Sequence, residues 1–333
     1  MISPEKNLLL QYYKYRLPMS AGIDLTYRCP LRCVHCLRKG QDTNELSTRT
    51  WLRIIDELHD LRTLYLGFSG GELLLRKDLT EILSYARTKS FAVSVKTSGF
   101  GATTEIIEEL ADMGIQSFDV SFYSSTPDIH ERVTGVPGSF QQTLSFALQL
   151  QSQGCKVRTA FTALVGYETR IDHTIKELEK LGLQEVLLNH LKPYLCDHDC
   201  THLWDETRYL SRIKGGKPLR PLEFIEPEQG NRHLCDSSLL SLHIRPDGTV
   251  TPCYKFTNGV GNVTKQSLRE IWFESHELTQ FRTLTWDSLE SCRNCPDKEY
   301  CNFCPAAALH INGAMDRPVD WFCTHARARR EKE

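Results

Sequence analysis

The sequence has no long apolar run near its start. The stretch there is Leu8-Leu9-Leu10, with Lys6 and Gln11 close by. That is too short for a secretory core or a membrane span. Nor is there a surplus of either charge. Forty Lys and Arg meet 42 Asp and Glu, for a net charge of −2, so nothing draws the whole chain to nucleic acid or an anionic membrane. The 13 cysteines form an odd set that fits disulfide pairing poorly. Without a signal segment they point to the reduced cytoplasm and to metal. Residues 1–19 are a short aromatic lead-in (Tyr12, Tyr13, Tyr15), expected to pack on the main domain and too short for a separate peptide-recognition domain. With 333 residues, 40% hydrophobic and 25% charged, the chain suits a soluble enzyme with one large and one small domain.

What is present is concentrated in Cys29-Pro-Leu-Arg-Cys33-Val-His-Cys36, a C-x3-C-x2-C triad. The preceding Ala21–Thr26 is short and aliphatic and reads as a strand, so the cysteines sit on the loop leaving it. Three thiolates bind three irons of a [4Fe–4S] cluster and leave the fourth open. Zinc competes, since His35 offers a fourth ligand, but it lies awkwardly between two of the cysteines. The spacing favours iron–sulfur.

Thr63–Phe68 reads as a second strand, ending in Ser69-Gly70-Gly71-Glu72. Triad and Gly-Gly-Glu in this order, one βα unit apart, resemble the radical S-adenosylmethionine (SAM) enzymes. The resemblance implies that SAM chelates the open iron through its amino and carboxylate groups. An electron from the cluster then cleaves SAM to methionine and a 5′-deoxyadenosyl radical. It also implies that Gly70 and Gly71 approach the SAM amino group closely, with Glu72 helping.

Further strands are expected at Ala92–Thr97, Ser117–Phe122, Lys156–Leu164 and Glu185–Leu191. Ser47, Asp78 and Asp172 are expected to cap helices, and Ser139–Gln142 has a capping-box pattern. Six alternations give a partial (β/α)6 barrel of TIM type over residues 20–195. The site belongs at the carboxyl ends of its strands, with Ser98, Ser121 and Arg158 as further cofactor-binding candidates. Residues 196–234 break the pattern as a linker or bridging region. Cys196 and Cys200 lie there and are the catalytic candidates, as hydrogen-atom donors to a substrate radical.

Seven cysteines follow residue 230. Cys235 precedes the hairpin signal Asp247-Gly248, then come Gly248-x4-Cys253, Cys292-x2-Cys295-x5-Cys301-x2-Cys304 and Cys323. Over residues 235–333 this resembles the SPASM extension of peptide-modifying radical SAM enzymes, although the last gap of the block is two residues where three is more usual. A zinc ribbon is the competing reading. The resemblance implies two auxiliary [4Fe–4S] clusters. Cys292, Cys295, Cys301 and Cys323 would ligate one completely. Cys235, Cys253 and Cys304 would supply three ligands of the other, leaving an iron open or ligated by Cys196, Cys200, His233 or Asp236.

The resulting expectation is a radical SAM oxidoreductase that crosslinks, oxidises or epimerises a residue of a ribosomally made precursor peptide. A flavodoxin- or ferredoxin-type reductase and a separate recognition protein are the implied partners. A small-molecule or porphyrin substrate is the alternative. A sulfatase-maturing role is disfavoured because Tyr254 stands where that enzyme's proposed base, an Asp, follows the cysteine.

Overall fold

The computed structural model describes residues 4–38, 44–168, 170–189, 191, 201–217 and 232–333. Cys196 and Cys200 fall outside them. The chain divides into two units. One is Ser20–Trp204 with His243–Thr249; the other is Asp205–Leu242 and Val250–Glu333 together with the N-terminal stretch to Met19. Helix α1 (Pro4–Lys14) therefore belongs to the second unit. There the indole N–H of Trp272 donates to the Arg16 carbonyl at 2.6 Å, and the Tyr13 hydroxyl lies 3.4 Å from His233 Nδ1. This corrects the expectation that the lead-in packs on the barrel: Tyr13 and the Arg16 carbonyl find their partners more than 200 residues away.

The first unit is a run of βα repeats. Strands β1 (Ser20–Thr26), β2 (Tyr65–Gly70), β3 (Ala92–Thr97), β4 (Ser117–Phe122), β5 (Val157–Thr162) and β6 (Val186–Asn189) lie side by side in chain order. All neighbouring pairs are parallel. Between them run α2 (Thr48–Asp60), α3 (Leu79–Thr88), α4 (Thr104–Asp112), α5 (Pro127–Thr134), α6 (Ser139–Ser152) and α7 (Ile171–Lys180). On the other side of β1 stands β7 (Ser241–Ile244), of which His243 and Ile244 belong to this unit. The Asp247-Gly248 turn closes the expected hairpin, with Gly248 at φ +83° and Arg245 N donating to Thr249 O.

The sheet's two faces differ. Leu66, Phe68, Val93, Val95, Phe118, Val120, Phe122, Val157 and Phe161 are buried. The helices supply matching stripes, such as Trp51, Ile54, Ile55 and Leu58 of α2 at i, i+3, i+4 and i+7. Each such side chain contributes about 1.5–3 kcal/mol through burial. The alternate strand residues, among them Ser69, Ser94, Lys96, Asp119, Ser121 and Arg158, are half-buried or exposed. A parallel sheet with one apolar and one wet polar face is the wall of an open barrel, not a sheet sandwiched by helices.

Caps were read from sequence with mixed success. Ser47 accepts from Thr50 N, as expected. Asp78 stands at the start of α3 but turns its carboxylate to Arg76 instead. Asp172 lies inside α7, which begins after Arg170. The pattern at Ser139–Gln142 forms no box: Gly138 is the N-cap, at φ +78°, and Ser139 Oγ is 2.7 Å from Thr134 Oγ1. At Asp78 and Ser139 a nearer partner or a glycine conformation outweighed the capping signature.

Buried Arg76 ties the strand ends together. It donates to the Leu25 carbonyl at 3.1 Å and the Leu46 carbonyl at 3.3 Å, pairs with Glu45 at 3.3 Å, and grips Asp78 at 2.9 and 2.6 Å. Glu45 in turn holds Arg28 with two bonds, at 2.7 and 2.9 Å. Replacing Arg76 by Met leaves two carboxylates and two carbonyls short of donors. Because Glu45 and Asp78 are partly solvated, the loss expected in a urea unfolding series is about 2–3 kcal/mol; a loss under about 0.5 kcal/mol would contradict this role.

Candidate active site and cysteine clusters

The triad loop starts where β1 ends, and the end of β2 presses against it. Gly71 N donates to Thr26 O at 2.7 Å, and Glu72 N to Arg28 O at 2.9 Å. A side chain is excluded here: a Cβ on Gly70 would lie 2.2 Å from Thr26 O, and one on Gly71 2.2 Å from Arg28 O. Gly70 also has φ +141°, which favours glycine. The Gly-Gly pair thus packs backbone against backbone on the residues leading into Cys29.

The far side of the loop rests on the end of α5. Arg32 N donates to Thr134 O at 2.7 Å and Val34 N to Val133 O at 3.0 Å. Beneath lies an apolar pocket of Tyr123, Val133, Leu164, Leu191 and Leu203, against which Cys33, Val34 and Leu37 pack. Arg38 closes the loop. Its N–H donates to Cys36 Sγ at 3.4 Å, its guanidinium pairs with Asp24 at 2.7 Å, and it lies 4.8 Å over the Tyr27 ring. His243 reaches the same Asp24 oxygen at 3.1 Å. Burial works to raise the Asp24 pKa, but the His243 hydrogen bond and the charges of His243 and Arg38 hold it below the ordinary carboxylate value.

The three thiols come together. Burial pushes Cys33 up to about 12, and the charges of Cys36 and Cys29 add to the shift. A free thiolate is costly in such a pocket, whereas a metal-bound one is deprotonated outright. Among the described residues, no three His, Cys, Asp or Glu close tightly enough around one point for a single ion.

Glu72 is fully buried and fully engaged. It accepts from Thr97 Oγ1 at 2.5 Å, Ser98 Oγ at 2.5 Å, Ser98 N at 2.9 Å and Leu74 N at 3.3 Å. Burial pushes its carboxyl up, against the pull of these donors. Glu72 therefore bolts the end of β2 to the end of β3, and the Ser98 hydroxyl faces it. Ser121 and Arg158 lie on the sheet's polar face. Arg158 pairs with Asp119 at 2.6 Å, and Lys96 stands opposite Asp119 in the β3–β4 register.

In the second unit the remaining cysteines form two groups. Cys253 is pushed up by burial and by the charge of Cys304, and Cys235, pushed to about 12, feels Asp236 and Cys253. These three pack around Phe256, Phe281 and Ala306. Separately, Cys292 feels Cys323 and Cys295 after burial, and Cys323 feels Cys295. Cys301 Sγ contacts the Phe322 carbonyl, next to Cys323. Of the proposed fourth partners of the first group, Asp236 lies 3.8 Å from Cys235 Sγ, while His233 turns to Tyr13.

Comparison with known proteins agrees with this geometry. Residues 23–181 match the model of the radical SAM superfamily, and residues 235–296 that of SPASM, an iron–sulfur cluster-binding domain. The chain carries a radical SAM domain followed by a SPASM domain. Among solved structures it is similar to SuiB of Streptococcus suis bound to S-adenosylmethionine. The TM-score is 0.73 at 14% identity, covering 94% of this chain and 79% of that one. SuiB bound to precursor peptide SuiA gives 0.72 at 14%, covering 94% and 77%. AnSMEcpe with AdoMet and the Kp18Cys peptide gives 0.71 at 14%, covering 95% and 96%. At this identity the likeness concerns the fold. As a radical SAM enzyme with a SPASM domain, the protein uses SAM, a [4Fe–4S] cluster that binds it, and auxiliary iron–sulfur clusters. Among the described residues no helix is long and apolar enough to cross a membrane.

Sequence reasoning missed Thr97, Arg38, Asp24, His243, Lys96 and Tyr123. Strand period would have placed Asp24 and Lys96 on the polar face; the others depend on contacts between distant segments. Replacing Gly71 by Ala forces the loop from its seat. Iron analysis of the anaerobically purified variant should show a loss of about four irons per chain, with the auxiliary clusters retained. Full iron content would contradict the seating argument.

Proposed function

We propose that this radical SAM enzyme removes a hydrogen atom from a residue of a ribosomally made peptide. The outcome is a crosslink, an oxidised side chain or an epimerised centre. The observation that carries the reading is the second unit's pair of separate thiol groups, Cys235/Cys253/Cys304 and Cys292/Cys295/Cys301/Cys323. Such groups serve auxiliary clusters that can take the electron left on a substrate radical. Similarity in fold to two enzymes crystallised with peptides supports a peptide substrate.

When bound, the cluster and SAM supply a 5′-deoxyadenosyl radical able to take hydrogen from an unactivated C–H bond. The chain's own residues do the rest. Cys29, Cys33 and Cys36 would hold three irons and leave one for SAM. Gly70 and Gly71 would offer backbone carbonyls to the SAM amino group, the Gly71 N–H being taken by the Thr26 carbonyl. Ser121 and Arg158 offer a hydroxyl and a cation on the polar face, and Glu72 with Ser98 fixes the strand ends around the cofactor. Cys235, Cys253 and Cys304 would leave one iron of their cluster open, or Asp236, 3.8 Å from Cys235 Sγ, would complete the set. Cys196 and Cys200 are the hydrogen-atom donors if the product is an epimer. A flavodoxin- or ferredoxin-type protein supplies the electron, and a separate protein presents the precursor.

The test is anaerobic incubation with SAM, dithionite and short precursor peptides encoded beside the enzyme, followed by mass spectrometry. A loss of two hydrogens identifies oxidation or crosslinking. Deuterium from heavy water at a Cα, lost in the Cys196→Ala/Cys200→Ala variant, identifies epimerisation. Formation of 5′-deoxyadenosine with no change in any peptide would overturn the peptide assignment.

A further inference from the structure

Two of the three thiols in the Cys235, Cys253 and Cys304 group have a charged side chain against them, and the charges are opposite. The Asp236 carboxyl lies 3.8 Å from Cys235 Sγ. The Lys255 ammonium donates to Cys304 Sγ at 3.9 Å, within the reach of an N–H···S contact. Lys255 is half-buried, and its Nζ also lies 5.8 Å over the Tyr254 ring. It follows Cys253 by two residues, so the segment that delivers one thiol carries a cation to another. The three thiols pack around Phe256, Phe281 and Ala306, an apolar surround that screens a nearby charge less than open water does. Cys304 is also the N-cap of the helix Pro305–Asn312, whose positive end acts in the same sense as the lysine.

An iron–sulfur cluster held by these thiols gains one negative charge on reduction. A cation against a ligating sulfur stabilises the reduced form more than the oxidised one and so raises the potential; a carboxylate does the reverse. Lys255 therefore opposes Asp236. The helix end is backbone and no substitution removes it, whereas the Lys255 charge can be deleted alone. A raised potential is what an auxiliary cluster needs if it is to take the electron left on a substrate radical.

We propose that Lys255, through its ammonium on the Cys304 sulfur, raises the reduction potential of the auxiliary cluster held by Cys235, Cys253 and Cys304. The inference rests on the proposed role of these three cysteines as ligands. Lys255 acts through Cys304 and keeps its charge throughout.

The test is an EPR-monitored redox titration of the anaerobic holoenzyme, with no peptide present, so the result stands apart from the substrate assignment. The signal to follow is the one that Cys253→Ala abolishes and that SAM leaves unperturbed. In Lys255→Gln at full iron content, its reduced-to-oxidised ratio at a fixed potential should fall about tenfold, a shift of about 59 mV to more negative values. In Lys255→Arg, which keeps the charge, the midpoint should stay close to that of the unchanged enzyme. No shift in Lys255→Gln, or an equal fall in Lys255→Arg, would overturn the proposal and leave the ligand assignment standing. Retention of every cluster signal in Cys253→Ala would remove the ligand assignment and the proposal with it. If Lys255→Gln loses iron, Lys255→Met, which keeps an apolar stem, is titrated in its place; loss of iron in both would make Lys255 a structural residue and overturn the proposal equally.

Discussion

Everything at this site depends on a close approach between two backbones. The loop that carries Cys29, Cys33 and Cys36 has no helix or strand of its own among its cysteines, so its shape must be imposed from outside. The end of β2 imposes it, with Gly71 N on Thr26 O and Glu72 N on Arg28 O. Two consecutive residues without a Cβ allow these contacts, since any larger side chain would occupy the space of a carbonyl oxygen. A glycine pair is costly in conformational entropy. The surrounding structure offsets the cost with the buried Arg76 on the strand ends and Glu72 between β2 and β3.

The second organising fact is the division of the parallel sheet into an apolar and a polar face. Helices cover the first. The second keeps Ser69, Lys96, Asp119, Ser121 and Arg158 accessible, a wall suited to a charged, polar cofactor such as SAM. Ser69, Lys96 and Ser121 lie near the carboxyl ends of their strands, while the Asp119–Arg158 pair lies farther back. The carboxyl ends are where unpaired strand-end groups and loops gather in βα folds. The second unit repeats the chemistry of the first with a different division of labour: two groups of thiols in apolar surroundings, suited to storing or passing an electron.

Much of this was legible in the sequence because it is local. Cysteine spacing announced the triad, and hydrophobic period announced six βα units. Ser47 and the Asp247-Gly248 turn were correctly read for the same reason. What was not legible depends on side-chain direction and on partners far apart in the chain. Glu72 and Ser98 read as ligands of a cofactor, but they face each other across 26 residues. Asp78 and Ser139 read as caps, but Arg76 and Thr134 claimed them. Tyr123 gave no signal at all, because an aromatic residue after a strand is ordinary until its ring is seen beneath the triad loop, edge-on to His35. The placement of α1 with the second unit rests on Arg16 meeting Trp272 across 256 positions.

The central claim is that the triad leaves one iron open and that SAM occupies it. The direct measurement is pulsed ENDOR on the reduced enzyme with SAM carrying 17O in its carboxylate and 15N in its amino group. Resolved couplings from both nuclei to the cluster are the predicted result. A fully assembled, reduced cluster that shows neither coupling at saturating SAM would contradict the account.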